Sequence, residues 1–396
     1  MNTQTKRNSI LALIALAALG LYVIACSTAF SPDDKYVLYP AFDPPSGAVG
    51  IAAYDRTSAR SEMLFLPMTI KNSDDPPVEP WLLRPQWLPD GRNIVVAWSG
   101  KGSPADDGLS LVVSSFGASA RATRVYYLPD MKDVAARLVL PLPIVGNRLF
   151  LFDASNNIVR LDLLTGKCTR HTFTDANGDM VLYPSPHQDG LFYAEQRKEL
   201  ERNVTFGRIN PDTFARTPLM TFTNEPADGG FLGCSADGKR LAIGEKTDAG
   251  LRLVVLNEGK QVFSSLLTST NEDARFGSFA LSPRGDALIA SYVETVSGET
   301  NSSIGLMEVP FNDSPTRRTI LLKTGKLKEE SALYTQAGVS HDGKTAAIAT
   351  TYLALEDEEF KRDDCALFFV DLSDPSRKVT RVGIPMPAKL SEVERK

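Results

Sequence analysis

Short apolar segments and tight polar turns alternate along this chain of 396 residues. Seven times an apolar segment runs into a turn rich in Asp, Gly or Asn and a second apolar segment follows, as in WLPDGRNIVVAW at 87–98 and GCSADGKRLAIG at 233–244. The turns recur at intervals of 44 to 58 residues, counted between Asp34, Gly91, Gly146, Gly190, Gly238, Gly285 and Gly343. Repetition at this period, with Asp-Gly turns between strands, predicts an all-β fold: a β-propeller with seven blades.

The segments after each turn predict how a blade is built. Two further apolar segments follow the inner pair in most blades, for example LRLVVLN at 251–257 and CALFFVDL at 365–372. Several of them alternate apolar and polar side chains with period two, which is typical of half-buried strands. We therefore expect four antiparallel strands per blade. The tight turn between the inner strands needs a positive φ, which Gly adopts freely and Asp or Asn tolerates.

A second repeat supports this register. The segment TNEPADGGFLGCSADG at 223–238 aligns without gaps on TNEDARFGSFALSPRG at 270–285, with seven identities in sixteen positions. Together with turns such as Ser-Pro-Asp-Asp-Lys at 31–35 and Ser-Ala-Asp-Gly-Lys at 235–239, this segment resembles the TolB-like propeller repeat, over nearly all of residues 27–385. Blade four departs from the pattern by one extra residue, and blade three lacks the Ser-Pro-Asp. The resemblance implies a fold rather than a function, because the same repeat serves as partner-binding platform, peptidase gate and scaffold.

The amino-terminal segment, residues 1–25, predicts an export signal. Lys6 and Arg7 form a charged start, and an apolar run of fifteen residues follows at 10–24. Such a run is short for a membrane span, which needs roughly twenty residues. We therefore exclude this segment from the fold.

The sequence Val-Ile-Ala-Cys that ends at Cys26 resembles the bacterial lipobox, in which the cysteine thiol receives a diacylglycerol. It predicts a lipid anchor at Cys26 and a periplasm-facing place in the bacterial cell envelope. The outer membrane is favoured by resemblance, because Ser27 stands where some inner-membrane lipoproteins carry aspartate. An uncleaved anchor and ordinary cleavage after residues 27–29 are the alternatives. The propeller is expected over 26–385, with a tail at 386–396.

The charge balance disfavours a nucleic-acid partner. Without its first 25 residues the chain has 41 basic and 48 acidic side chains, a formal charge of −7. Nucleic-acid binding leaves a basic face as its usual signature. The same balance disfavours electrostatic attraction to anionic lipid, so membrane association is assigned to the acyl anchor.

Cysteine and histidine positions offer little chemistry. Cys168, Cys234 and Cys365 fall in blades three, five and seven, so no disulfide framework is expected. Of the three histidines, His187 and His341 occupy inter-strand turns and are assigned a structural or solvated role. No HExxH, GxSxG or phosphate-binding loop pattern occurs, so we predict no catalytic residue and no cofactor. The alternative is a lyase or hydrolase whose site gathers side chains from several blades in the central channel.

One segment has the spacing of a calcium loop. Asp175, Asn177 and Asp179 are placed as the first ligands of such a loop are. Met180 stands where the loop needs glycine, and Pro186 where it needs glutamate. An ordinary connection between blades is therefore preferred, and the three residues stay weak candidates for a metal site.

The loops expected on the face opposite the turns are long and charged, at 100–108, 195–203, 294–301 and 353–364. Binding residues concentrate in scaffolded loops, although charged loops also keep exported proteins soluble. The candidates for partner binding are Trp81, Arg197, Lys198, Glu199, Glu356, Asp357, Glu358 and Glu359. The sequence thus favours a non-catalytic module that binds an envelope protein or peptide, or acts as a scaffold.

Overall fold

A computed structural model of the chain shows the seven-bladed β-propeller that the repeats predict. It describes residues 29–43, 48–65, 84–99, 109–116, 123–128, 142–153, 157–173, 178–185, 188–197, 204–222, 227–247, 250–267, 274–295, 301–312, 314–325, 337–350 and 366–383. In these ranges all regular structure is β, with 28 strands in seven four-stranded antiparallel sheets.

The first four blades contain sixteen strands, four per blade in chain order. They are β1 (Ala29–Phe30), β2 (Tyr36–Asp43), β3 (Ala48–Asp55), β4 (Arg60–Phe65), β5 (Arg84–Trp87), β6 (Asn93–Ser99), β7 (Leu109–Ser115), β8 (Thr123–Leu128), β9 (Ile144–Val145), β10 (Arg148–Phe152), β11 (Ile158–Asp162), β12 (Cys168–His171), β13 (Gly178–Pro184), β14 (Leu191–Arg197), β15 (Val204–Ile209) and β16 (Arg216–Phe222).

The last three blades contain the other twelve strands. They are β17 (Ala227–Cys234), β18 (Arg240–Thr247), β19 (Gly250–Asn257), β20 (Lys260–Leu267), β21 (Ala274–Leu281), β22 (Ala287–Thr295), β23 (Asn301–Pro310), β24 (Arg317–Gly325), β25 (Ala337–Val339), β26 (Thr345–Thr350), β27 (Ala366–Asp371) and β28 (Val379–Gly383). The first strands of neighbouring blades approach one another, β17 with β21, β21 with β25, β25 with β1 and β1 with β5, so they surround the propeller axis.

Among the described residues the hydrophobic core consists of seven clusters, and two neighbouring blades share each cluster. The ring closes in the same way, because Phe30 and Tyr39 of blade one pack with Ala349 and Leu367 of blade seven. The described strands of these two blades pair only within their own sheets, so the ring closes without an exchanged strand. Each large apolar side chain buried here stabilises the ring by roughly 1.5–3 kcal/mol.

The second strands contain buried apolar stretches, as is typical of strands that lie between two blades. Residues 94–97 and 346–349 are at most 2% exposed. Cys234 ends the inner strand β17 and is buried as a small core residue, and burial raises the pKa of its thiol. Cys168 lies exposed in blade three, and it and Cys234 are both free thiols.

The outermost strands form the edges of the sheets. The register between the third and fourth strands shifts by a bulge in blades one, four, five and six. Bulges at sheet edges discourage pairing with a strand of another molecule. A few large apolar side chains are nevertheless exposed on these strands, among them Val262, Leu266 and Ile320.

Candidate functional site

The propeller has two faces, which we call the turn face and the loop face. The turn face carries the turns between first and second strands and those between third and fourth strands. The loop face carries the connections between second and third strands and those between blades. Most of the described connections belong to the turn face.

A buried serine organises five of the seven turns between first and second strands. Its hydroxyl donates to an aspartate of the turn and accepts from the backbone N–H five residues along. In blade one, Ser31 Oγ donates to Asp33 Oδ1 at 2.6 Å and accepts from Tyr36 N at 2.9 Å. The other serines that do this are Ser185, Ser235, Ser282 and Ser340. The turn is therefore a closed hydrogen-bonded unit.

The aspartate of this unit comes from one of two positions. It lies two residues after the serine in blades one, five and seven, as in Ser235 with Asp237 at 2.6 Å. It lies four residues after the serine in blades four and six, as in Ser282 with Asp286 at 2.6 Å. The two spacings satisfy the same hydroxyl, which explains why the Ser-Pro-Arg-Gly-Asp of blade six forms the same turn as Ser-Pro-Asp-Asp in blade one.

The backbone of these turns is left-handed at six of the seven predicted positions. Asp34 has a φ of 57°, and the glycines of blades two, three, five, six and seven have φ between 59° and 71°. The prediction for Gly190 in blade four is wrong, because the left-handed residue there is Gln188, with a φ of 56°. Gln188 lies three residues after Ser185, as Gly238 lies three residues after Ser235, so the turn has the ordinary length and the extra residue expected from the sequence is not there.

Gln188 also forms hydrogen bonds with blades two and three. The turn of blade three is short and begins after a first strand, β9, of only two residues. Gln188 Nε2 reaches past it and donates to Trp87 O of blade two at 2.6 Å. The backbone of Gln188 accepts from Gly146 N of blade three at 2.8 Å. One residue of blade four thus connects three blades near the axis.

Further contacts join the inner turns of neighbouring blades. Arg208 of blade four donates to the carbonyl oxygen of Gly238 in blade five. Arg240 of blade five donates to Gly285 O in blade six at 2.7 Å. Asp34 of blade one accepts from the backbone of His341 in blade seven at 2.7 Å. His341 is therefore structural, in agreement with the role assigned to it from the sequence.

An outer ring of contacts runs in the opposite direction, from the turn between third and fourth strands back to the preceding blade. Aromatic side chains make three of these contacts. Phe116 packs on Tyr36 (ring centroids 4.6 Å apart), Phe214 stacks on His171 (4.8 Å), and Phe311 packs on Phe263 (5.2 Å). Phe214 has a φ of 60°, so burial of its ring compensates a backbone conformation that is unfavourable for such a residue.

Polar groups make most of the remaining outer contacts. The carbonyl of Leu163 in blade three accepts from Tyr126 Oη of blade two at 2.8 Å. Arg377 of blade seven binds Glu308 of blade six through two nitrogens, at 2.9 and 2.8 Å. Arg56 of blade one donates to Thr345 Oγ1 of blade seven at 3.1 Å. The turn face is therefore tied together at an inner and an outer radius.

Blade four contains an arrangement of four side chains that the sequence does not predict, and blade six contains a second copy of it. Tyr193 lies across from Gly207 on the next strand, and its ring occupies the space that a Cβ there would need. Arg216 crosses this ring, 5.9 Å from its centroid, and reaches Glu195 at 3.2 Å. Blade six repeats the arrangement with Tyr292, Gly305, Arg318 and Glu294. The pattern Tyr-Xaa-Glu occurs in both second strands, but only the fold brings the arginine to it.

Most of the sequence-predicted site residues lie outside the described ranges. These are Cys26, Trp81, Asp175, Asn177, Lys198, Glu199, Glu356, Asp357, Glu358 and Glu359. Two others lie in strands of blade four, since Asp179 is the second residue of β13 and Arg197 the last of β14. Their partners in the register are Gln196 and Gly178, so the two candidates lie one register position apart at the loop-face end of the blade.

Two features are absent from the described part of the chain. In it, no three His, Cys, Asp or Glu side chains are grouped so that they could hold a metal ion. Nor does any helix in these ranges have the length and apolar character needed to cross a membrane.

The fold is similar to that of several solved structures. One belongs to a study of two prolyl endopeptidases and matches with a TM-score of 0.54 and 12% identity, over 95% of this chain and 52% of that one. A putative 6-phosphogluconolactonase from Bacteroides uniformis matches at 0.48 and 14%, over 87% and 94%. TolB from Acinetobacter baumannii matches at 0.42 and 13%, over 92% and 86%. The chain thus spans about half the length of the endopeptidase structure.

No family model and no curated protein sequence matches the chain. The match to the endopeptidase structure, at 12% identity, shows a shared fold alone. The similar structures include enzymes as well as TolB, so the likeness assigns neither a reaction nor a partner.

Proposed function

We propose that the chain is a lipid-anchored protein of the bacterial cell envelope that binds a protein or peptide partner through its loop face. The observation that supports this proposal is a difference between the two faces: contacts between blades are found on the turn face, and the long charged connections lie on the loop face. Hydrogen bonds and aromatic contacts tie the turn face together at two radii, from the Asp34 contact near the axis to the Arg377 contact outside. The long charged connections belong to the other face.

A rigid ring of blades favours binding of a partner by the loops that it carries. Association loses free energy when a surface must become ordered on binding, and a fixed scaffold reduces that loss. The loop at 353–364 has six acidic and two basic side chains, which suits a partner with a basic surface. The turn face would then keep the blades in place and would not contact the partner.

The anchor is tested by replacing its acceptor thiol. Cys26→Ser should release the protein from membranes or leave an uncleaved precursor, because no atom remains to carry the diacylglycerol. Fractionation of cells and the mass of the amino-terminal peptide report the two outcomes. A mutant that matures and stays with the membranes like the parent chain would show that the anchor is elsewhere.

The binding face is tested by neutralising charges on either side of the ring. Replacing Glu356, Asp357, Glu358 and Glu359 with their amides should weaken pull-down of an envelope partner and leave the melting temperature unchanged, because exposed loop charges contribute under about 1 kcal/mol each. Lys239→Gln with Lys344→Gln on the turn face is the matched control, since both side chains are exposed there. Loss of binding only in the control would place the interface on the turn face.

A further inference from the structure

The described part of the chain begins with β1, which lies beside the propeller axis. β1 is the innermost strand of blade one, and Ala29 lies opposite Leu38 of β2. The turn that follows β1 belongs to the turn face, so Ala29 lies at the end of β1 that is nearer the loop face. β2 continues beyond Leu38 for five residues, to Asp43, where it reaches the loop-face rim.

The distance from Ala29 to Cys26 is short. Three residues separate Cys26 from Ala29 along the chain, and a fully extended chain covers at most about 3.6 Å per residue, or about 11 Å. From Leu38 to Asp43 the strand rises about 3.4 Å per residue, or about 17 Å. While β1 stays paired, Cys26 cannot pass the loop-face rim of blade one.

Several contacts hold β1 in place. Phe30 is 5% exposed and belongs to the core shared by blades seven and one. Trp87 of blade two donates its indole N–H to Ala29 O at 3.1 Å. Ser31 directly after the strand belongs to the first Ser–Asp turn. Contacts with both neighbouring blades therefore hold the two residues of β1 in place.

We infer that a lipid on Cys26 holds the loop face directly against the membrane and points the turn face away from it. This inference rests on the proposed anchor. It narrows the partner class: a partner of the loop face must be held at the membrane surface, as the extramembrane part of an integral membrane protein is. The acidic loop at 353–364 is repelled by anionic headgroups, so the short tether and not charge attraction sets the orientation.

The orientation can be measured with a fluorophore on single cysteines of the lipidated protein in phosphatidylethanolamine–phosphatidylglycerol vesicles that contain a headgroup-attached quencher. Cys168 and Cys365 are first replaced with serine, and Cys234 is too buried to react. The label is placed by Glu356→Cys on the loop face or by Lys239→Cys on the turn face. We expect at least threefold stronger quenching at position 356.

A lengthened tether provides the control. Twenty Gly and Ser residues inserted between Thr28 and Ala29 span roughly 25 Å on average and should remove the difference between the two labels. Equal quenching at both positions in the chain of natural length, or stronger quenching at position 239, would overturn the inferred orientation. The mass of the amino-terminal peptide tests the anchor separately, and an unmodified Cys26 would refute the anchor and the orientation together.

Discussion

Asp34 of blade one binds His341 of blade seven and thereby joins the two ends of the ring. Its Oδ1 accepts from the backbone N–H of His341 at 2.7 Å and lies 3.0 Å from the imidazole Nδ1. Its Oδ2 accepts from Asp342 N at 3.0 Å. Asp34 occupies a left-handed turn position where five other blades have glycine. The carboxylate explains this difference, since glycine would form the turn but could not bind blade seven.

Asp34→Gly should keep the turn and lose the junction. Hydrogen bonds to a charged group contribute about 1.5–3 kcal/mol, and glycine recovers part of this by relieving the left-handed backbone. We therefore expect the free energy of unfolding to fall by about 1–3 kcal/mol. Chemical denaturation monitored by circular dichroism measures it, and an unchanged midpoint would show that packing alone closes the ring.

The stability contributed by Asp34 should disappear in acid. Burial raises the pKa of this carboxyl, but hydrogen bonds from His341 and Asp342 outweigh burial and lower the pKa below its ordinary value near 3.8. A lowered pKa in the folded state gives stability that is complete above the unfolded-state pKa and is lost as pH falls through the folded-state pKa. The difference in melting temperature between the parent chain and Asp34→Gly should thus be constant from pH 7 to about 5 and shrink below about 4. A difference that persists unchanged to pH 2.5 would contradict this.

Removing one turn serine should destabilise its blade. Ser282 is buried, donates to Asp286 and accepts from two backbone N–H groups, so Ser282→Ala leaves these groups without their partner. We expect a loss of about 1–3 kcal/mol. Ser264→Ala is the matched control, because Ser264 is exposed on the outer strand β20. Equal melting temperatures for the two variants would mean that the serine is not essential to the turn.

Two glycines of equivalent turns should respond differently to alanine. Gly285 has a φ of 68°, and a Cβ there would lie 2.8 Å from Ser235 Cβ, so Gly285→Ala should destabilise by about 1–3 kcal/mol. Gly190 is not left-handed, and the nearest atom to its Cβ would be 3.6 Å away. Gly190→Ala should therefore change stability by less than about 1 kcal/mol. Similar losses at both sites would mean that blade four bends at Gly190 after all.

The two copies of the Tyr–Gly–Arg–Glu element allow a test of how burial changes the stability that an ion pair contributes. The ion pair of Arg216 with Glu195 has side chains 12% and 3% exposed, against 33% and 14% for Arg318 with Glu294. Removing one partner of a buried pair costs about 3–5 kcal/mol, and exposure to water reduces the loss. Glu195→Ala should thus lower the melting temperature more than Glu294→Ala does. The reverse order would refute burial as the cause.

The sequence predicts the fold because the period of its turns is a local and repeated signal. Seven turns at even spacing establish the blade count, and the apolar second strands identify the residues between blades. The same reasoning fails at Gln188, since its two hydrogen bonds go to Trp87 and Gly146, far away along the chain. It also places the bend of blade four at Gly190, because it follows the glycine, whereas the left-handed residue is Gln188, three residues after Ser185 as Gly238 is after Ser235.

The candidate site follows less well from the sequence. The charged loops can be read directly, but Arg377 and Glu308, or Arg216 and Glu195, are ordinary surface residues by sequence. They become structural pairs only when the blades are placed side by side. The serine of the turn is an intermediate case, because its regular spacing from an aspartate in three blades could have revealed the hydrogen bond.

Because each blade contains only consecutive strands, the ring has no privileged starting point. β28 is the outer strand of blade seven and β1 the inner strand of blade one. The two ends of the ring are therefore related like β16, the outer strand of blade four, and β17, the inner strand of blade five. A natural connection of four residues, 223–226, joins β16 to β17. A circular permutant that begins in that connection, with the present ends joined by a linker, would contain the same seven sheets and the same seven interfaces.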